Sequence, residues 1–89
     1  MLRISQAAAA GCLVALKVEG AIVGDWVPLL ETECLRHLQA DKRVELDFAG
    51  VGFVDRDGVA MVRSLVAGGI HVVGASAMVN ALLGWSGAP

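Results

Sequence analysis

The sequence predicts an α/β fold: a small mixed β-sheet with helices packed on one face, in the order β-β-α-β-α-β-α, built as a single domain over residues 1–89. Three observations carry this. Val44, Glu45, Leu46, Asp47 and Phe48 alternate apolar with charged, the period of a strand with one buried face. Val27, Leu30, Cys34 and Leu38 recur at helical spacing and form one apolar stripe. The two periods then follow each other in turn, separated by glycine-bearing breaks, so strands alternate with helices after an opening pair of strands.

Leu2 to Gln6 reads as the first strand and Ala7 to Gly11 as the turn after it. Cys12 to Glu19 reads as the second, with Val14, Leu16 and Val18 on one face and Leu13, Ala15, Lys17 and Glu19 on the other. Their connection is short, which favours antiparallel pairing. Gly20 to Gly24 leads to the first helix, with Asp25 as its expected N-cap and Pro28 in the first turn, where a missing N–H costs little. Glu33 and His37 are four apart and set to pair weakly. Asp41-Lys42 ends this helix, and a third strand starts near Arg43. Ala49 to Val54 then reads as a short glycine-bearing connection. Asp55-Arg56-Asp57-Gly58 opens a helical run from Val59 to Val66, whose buried side is Val59, Val62, Leu65 and Val66. Gly68-Gly69 ends it through a left-handed turn. Ile70 to Val73 is the fourth strand, and Ser76 caps a third helix, Ala77 to Leu83. Each strand-helix-strand unit crosses over right-handed and gives parallel neighbours; the local patterns leave the sheet order open.

Composition narrows the function. The chain is 56% hydrophobic and carries a net charge of −2, so no basic patch argues for nucleic acid. Aromatic residues make up 4% and no tyrosine is present, which leaves no base-stacking surface. Two cysteines, Cys12 and Cys34, are too few for a disulfide framework and read as small buried residues in a reducing, cytoplasmic setting. Ala9-Ala10-Gly11-Cys12 looks like a lipoprotein cleavage site, but Ser5 and Gln6 interrupt the apolar stretch a leader needs; a turn is expected instead. After Arg63 no Asp, Glu, Lys or Arg follows, yet Gly68, Gly69, His71, Gly74, Asn80 and Gly84 break the apolarity, so strand and helix are expected rather than a membrane span.

The strand ending in Leu46-Asp47-Phe48, the segment Val51-Gly52-Phe53-Val54 and the tetrapeptide Asp55-Arg56-Asp57-Gly58 before an apolar helix together resemble the STAS family, the domain of anti-sigma factor antagonists and of sulfate-transporter tails. Gly24-Asp25, Gly68-Gly69 and Trp85-Ser86-Gly87 extend the resemblance over about Leu13 to Gly87. It implies a protein-interaction module of bacterial signalling and transcription regulation, not an enzyme. The partner implied is a protein of the anti-sigma-factor or switch-kinase type, or one linked to a transporter. The surface implied is the tip Asp55, Arg56, Asp57, Gly58 and Val59 with the loop Ile22, Val23, Gly24 and Asp25. Regulated members follow the Asp with a phosphorylated Ser or Thr. Here Arg56 stands at that position and accepts no phosphoryl group, so no phosphorylation site is expected. The resemblance also implies a further strand and helix that residues up to Pro89 do not supply. An edge near Ile70 to Val73, covered by a second copy in a dimer, is the matching expectation. A self-associating structural subunit and a sensor of a nucleotide or lipid are the alternatives.

Residue chemistry points the same way. Asp25, Asp47, Asp55, Asp57, His37, His71, Cys12 and Cys34 are the candidate reactive groups, and none sits in a nucleophile elbow, P-loop or dinucleotide fingerprint. Cys34 and His37 have the residue types of half a metal site, but the helix turns one inward and the other outward, so neither metal nor cofactor is expected. His71 alternates with Ile70 and Val72 and is expected on the open side of the sheet. Asp57 is expected to cap the second helix and Asp55 to satisfy loop N–H groups. Arg56 is the residue best suited to fork onto a partner's carboxylate or phosphate; otherwise it pairs with Asp55 or Asp57.

Overall fold

The computed structural model describes residues 2–84. The terminal Trp85-Ser86-Gly87 therefore lies outside the described residues. In order, the elements are β1 (Leu2–Ala10), β2 (Leu13–Ile22), α1 (Trp26–Gln39), β3 (Arg43–Val54), α2 (Arg56–Ala67), β4 (His71–Val73) and α3 (Ala77–Leu82). The four strands form one sheet in the order β1-β2-β3-β4, with β1 and β2 antiparallel and the other two pairs parallel. This settles the strand order that local patterns leave open.

The expected β-β-α-β-α-β-α order holds, and the helices lie on one side of the sheet. Val14, Leu16 and Val18 of β2 and Val44, Leu46 and Phe48 of β3 are buried beneath them, together with Val27, Leu30 and Cys34 of α1 and Met61, Val62 and Leu65 of α2. The opposite face carries Arg3, Lys17, Glu19, Arg43, Glu45 and His71, none of them buried. Burying charge without partners is costly, so the alternation of residue types dictates which face meets the helices. His71 lies on the open face, as its alternation with Val72 requires.

Several boundaries move. The run Ala7 to Gly11 is not a turn: β1 continues to Ala10, and Gly11-Cys12 alone makes the hairpin. Gly11 has φ 60°, which a two-residue hairpin demands of its first central residue. Ala7 is an extra residue in β1, because Gln6 faces Leu16 and Ala8 faces Ala15. Cys12 consequently sits exposed in the turn instead of buried in a strand, while Cys34 is buried as expected. Burial pushes the Cys34 thiol up to about 12, with Glu33 and Glu31 adding to it.

Ala49 to Val54 is strand, not connection. β3 has two register shifts against β2: Lys17 faces Asp47 but Glu19 faces Gly50, and Gly20 faces Val51 but Ala21 faces Phe53. Each shift inserts one extra residue into β3. The inward set therefore runs Val44, Leu46, Phe48, Val51, Val54, with a period of two followed by steps of three. Asp47 braces the first shift by accepting the Ala49 N–H at 2.9 Å.

The helices also differ in detail. Asp25 stands at the N-cap of α1 in helical conformation and makes no side-chain cap bond. Glu33 pairs with Arg36 at 3.0 Å rather than with His37. α2 starts three residues earlier than its apolar run, at Arg56. Val59 and Val66 are only half-buried, and Gly58 and Met61 join its buried side. Ser76 caps α3 as expected, accepting the Val79 N–H at 3.2 Å. β4 is reduced to His71–Val73.

Candidate functional site

β2 and β3 are parallel, so their C-terminal ends emerge side by side, at Ile22 and Val54. The two loops that follow, residues 23–25 into α1 and Asp55 into α2, are therefore neighbours. Their closeness is fixed by hydrogen bonds. The Asp55 N–H donates to the Ile22 carbonyl at 3.1 Å. The Asp55 carboxylate takes the Gly58 N–H on Oδ1 at 2.7 Å and the Gly24 N–H on Oδ2 at 2.9 Å.

Asp55 is thus the N-cap of α2, with extended backbone (φ −80°, ψ 180°), and Asp57 lies in the first turn. This corrects the expected assignment, which gave the cap to Asp57. The sequence signal is an apolar strand ending one residue before an Asp, with Gly58 three places on. The N-cap oxygen reaches the N–H of the third helical residue, and that residue is Gly58. The Gly24 N–H, with Gly58 next, holds the Asp55 carboxyl below its usual range. These bonds favour the charged form.

Gly58 is where α2 meets the sheet. A Cβ there would stand 2.7 Å from Val54 Cγ1 and 2.8 Å from the Ile22 carbonyl oxygen. The side chain is absent so that the helix can begin against the ends of both strands. Of the tip residues read from the sequence, Ile22 and Gly58 are buried and therefore support the surface rather than form it. Val23, Asp55 and Val59 are half-buried; Gly24, Asp25, Arg56 and Asp57 are exposed.

Arg56 is not tied down. Among the described residues the one ion pair is Glu33–Arg36, so neither Asp55 nor Asp57 holds the guanidinium. Phe53, which the sequence reading names but does not count among the tip residues, is 46% exposed on the strand directly before the tip. Its signal is visible only once the second register shift is known, since that shift turns Phe53 outward and Val54 inward. Leu29, in the opening turns of α1, is 47% exposed at the same end. The tip is thus a small charged apex with apolar side chains at its margin.

The remaining candidates do not gather there. Cys12 and His71 lie near Arg43 and Glu45, at the opposite end of the sheet, in a shallow open-face depression. Cys34 and His37 stay on α1, and among the described residues no cluster of three His, Cys, Asp or Glu is placed to hold a metal ion. Among the described residues no helix is long and apolar enough to cross a membrane.

No protein-family model and no curated protein sequence matches the chain. Its structure, however, superimposes on that of the anti-sigma factor antagonist SpoIIAA in its unphosphorylated form. The TM-score is 0.69 at 15% identity, over 94% of this chain and 84% of that one. The fold is STAS-like. A second match, Mglu, has a TM-score of 0.56 at 22% identity and covers 79% of this chain but 18% of its own length. In that protein the STAS-like fold aligns with a minor part of a much longer chain.

Proposed function

We propose that this chain is a non-enzymatic protein-interaction module that docks a partner through the tip. The contacting side chains are Arg56, Asp57, Asp25 and Phe53, with Val23 and Val59 at the margin. The observation that carries this reading is the division of labour at the apex. Asp55 is committed to holding two loops together, while Arg56 and Asp57 stand exposed on that braced base, out of ion-pairing reach of any described residue. Arginine and aromatic residues are the side chains that most often anchor protein interfaces. The fold likeness to an anti-sigma factor antagonist supports the same reading.

Arg56 asks for a carboxylate or phosphate on the partner, which fits an anti-sigma factor or switch-kinase type of regulator, or a transporter-linked protein, in a bacterial cytoplasm. The tetrapeptide Asp55–Gly58 holds no hydroxyl, so docking is constitutive and no kinase switches it at this tip. No thiol, hydroxyl or imidazole lies within residues 22–26 or 53–59, which leaves the tip without a nucleophile and base.

The experiment is affinity capture with the tagged chain and with Arg56→Glu, side by side, from the native lysate. A protein held by the wild type and lost with Arg56→Glu, at unchanged melting temperature, supports the reading. A partner retained equally by both, or none recovered beyond the chain itself, defeats it.

A further inference from the structure

The two edges of the sheet are unlike. β4 offers three residues, too short a strand to template another. β1 offers nine, and among the described residues no strand lies on its outer side. The devices that usually guard such an edge are few. Arg3 is its single charge, no proline interrupts it, and Ile4 to Ala10 is uncharged throughout. Every residue from Ser5 to Ala10 is exposed. An edge of this kind pairs with any extended backbone of matching length.

We propose that β1 pairs with the β1 of a second copy of this chain, antiparallel about a two-fold axis, so that two four-stranded sheets become one continuous sheet. The choice of occupant rests on register. Pairing with β2 places Leu2, Ile4, Gln6 and Ala9 on the helix side and Arg3, Ser5, Ala8 and Ala10 on the open side. Residues directly opposite in an antiparallel pair share a face. The two-fold register that satisfies this over the longest stretch sets Arg3 against Ala10, Ile4 against Ala9 and Ser5 against Ala8. Each of these pairs joins an odd with an even position, which in a regular strand would face opposite sides. The extra residue Ala7 restores the match, so the irregularity that usually spoils an edge makes this one self-complementary. Charge agrees. The register sets each Arg3 against an alanine, whereas in-register parallel pairing would set the two Arg3 side by side. An isologous contact of this sort closes on itself and stops at a dimer.

The test is sedimentation velocity of the full chain and its variants over a dilution series. The wild type is expected to reach twice the chain mass. Ser5→Glu with Ala8→Glu sets carboxylate against carboxylate across the axis and should raise the dimer dissociation constant at least about tenfold. Ser5→Glu with Ala8→Lys sets opposite charges together and should restore it. Both positions are exposed, and circular dichroism confirms that the variants fold. Amide exchange along β1 should slow as the concentration rises. A wild type that stays monomeric overturns the proposal. So does a dimer indifferent to both double variants, or one that Val73→Glu on β4 dissociates instead.

Discussion

The two oxygens of the Asp55 carboxylate are divided between two loops, Oδ1 to the Gly58 N–H and Oδ2 to the Gly24 N–H. Asparagine keeps one acceptor and alanine none. At neutral pH the urea midpoint should therefore fall in the order wild type, Asp55→Asn, Asp55→Ala, and a midpoint for Asp55→Ala equal to wild type would refute the clamp. The pH dependence has a definite sign. The native carboxyl titrates below its ordinary 3.8, so its stabilisation is complete above that value and fades as pH falls through the lower native one. The gap between wild type and Asp55→Asn should close in acid. Gly58→Ala tests the neighbouring contact. In an open helix that change stabilises, but here the added methyl meets Val54 and the Ile22 carbonyl, and a loss of about 1–3 kcal/mol is expected by chemical denaturation. The two thiols give a third measurement. Cys12 is exposed, whereas Cys34 is buried and pushed up to about 12. A thiol reagent should therefore label one cysteine in the native protein and the second only on unfolding.

At the scale of elements, β3 carries the fold. It pairs with β2 on one side and β4 on the other, and its far end turns directly into α2. Its first half was legible in the sequence because Val44, Leu46 and Phe48 keep a period of two. Its second half was not, because two inserted residues change the inward step to three, at Val51 and Val54, and a step of three with two glycines looks like a loop. The second half of β1 is hidden in the sequence for a related reason. Four consecutive alanines have no face to alternate, and only their pairing with Leu13, Val14 and Ala15 makes them strand. Helices fared better, since their stripes depend on residues within one element. Asp55 as N-cap and the exposure of Phe53 both depend on where β3 stops, so local pattern does not show them either. At this scale Ser76→Ala should loosen α3. The six-residue helix loses its cap bond to Val79, a cost of about 1 kcal/mol read from the urea midpoint.

For the whole molecule, the core is one layer of side chains between the sheet and three helices, and Phe48 is the largest of those fully buried. Phe48→Ala should cost about 3–5 kcal/mol, a large part of the total for so short a chain, and should appear as a drop in unfolding free energy and melting temperature together. A variant that loses less than about 1 kcal/mol would mean that the layer closes over the gap, contrary to close packing. The Asp55 clamp has a consequence at this scale too. Loops that must be ordered on contact charge their entropy to the complex and slow its formation. Here one carboxylate ties both loops together in the free protein, with the helix and the two strand ends behind them. Any partner of this tip meets a stamp rather than a glove: variants at the apex should alter how long the complex lives far more than how fast it forms.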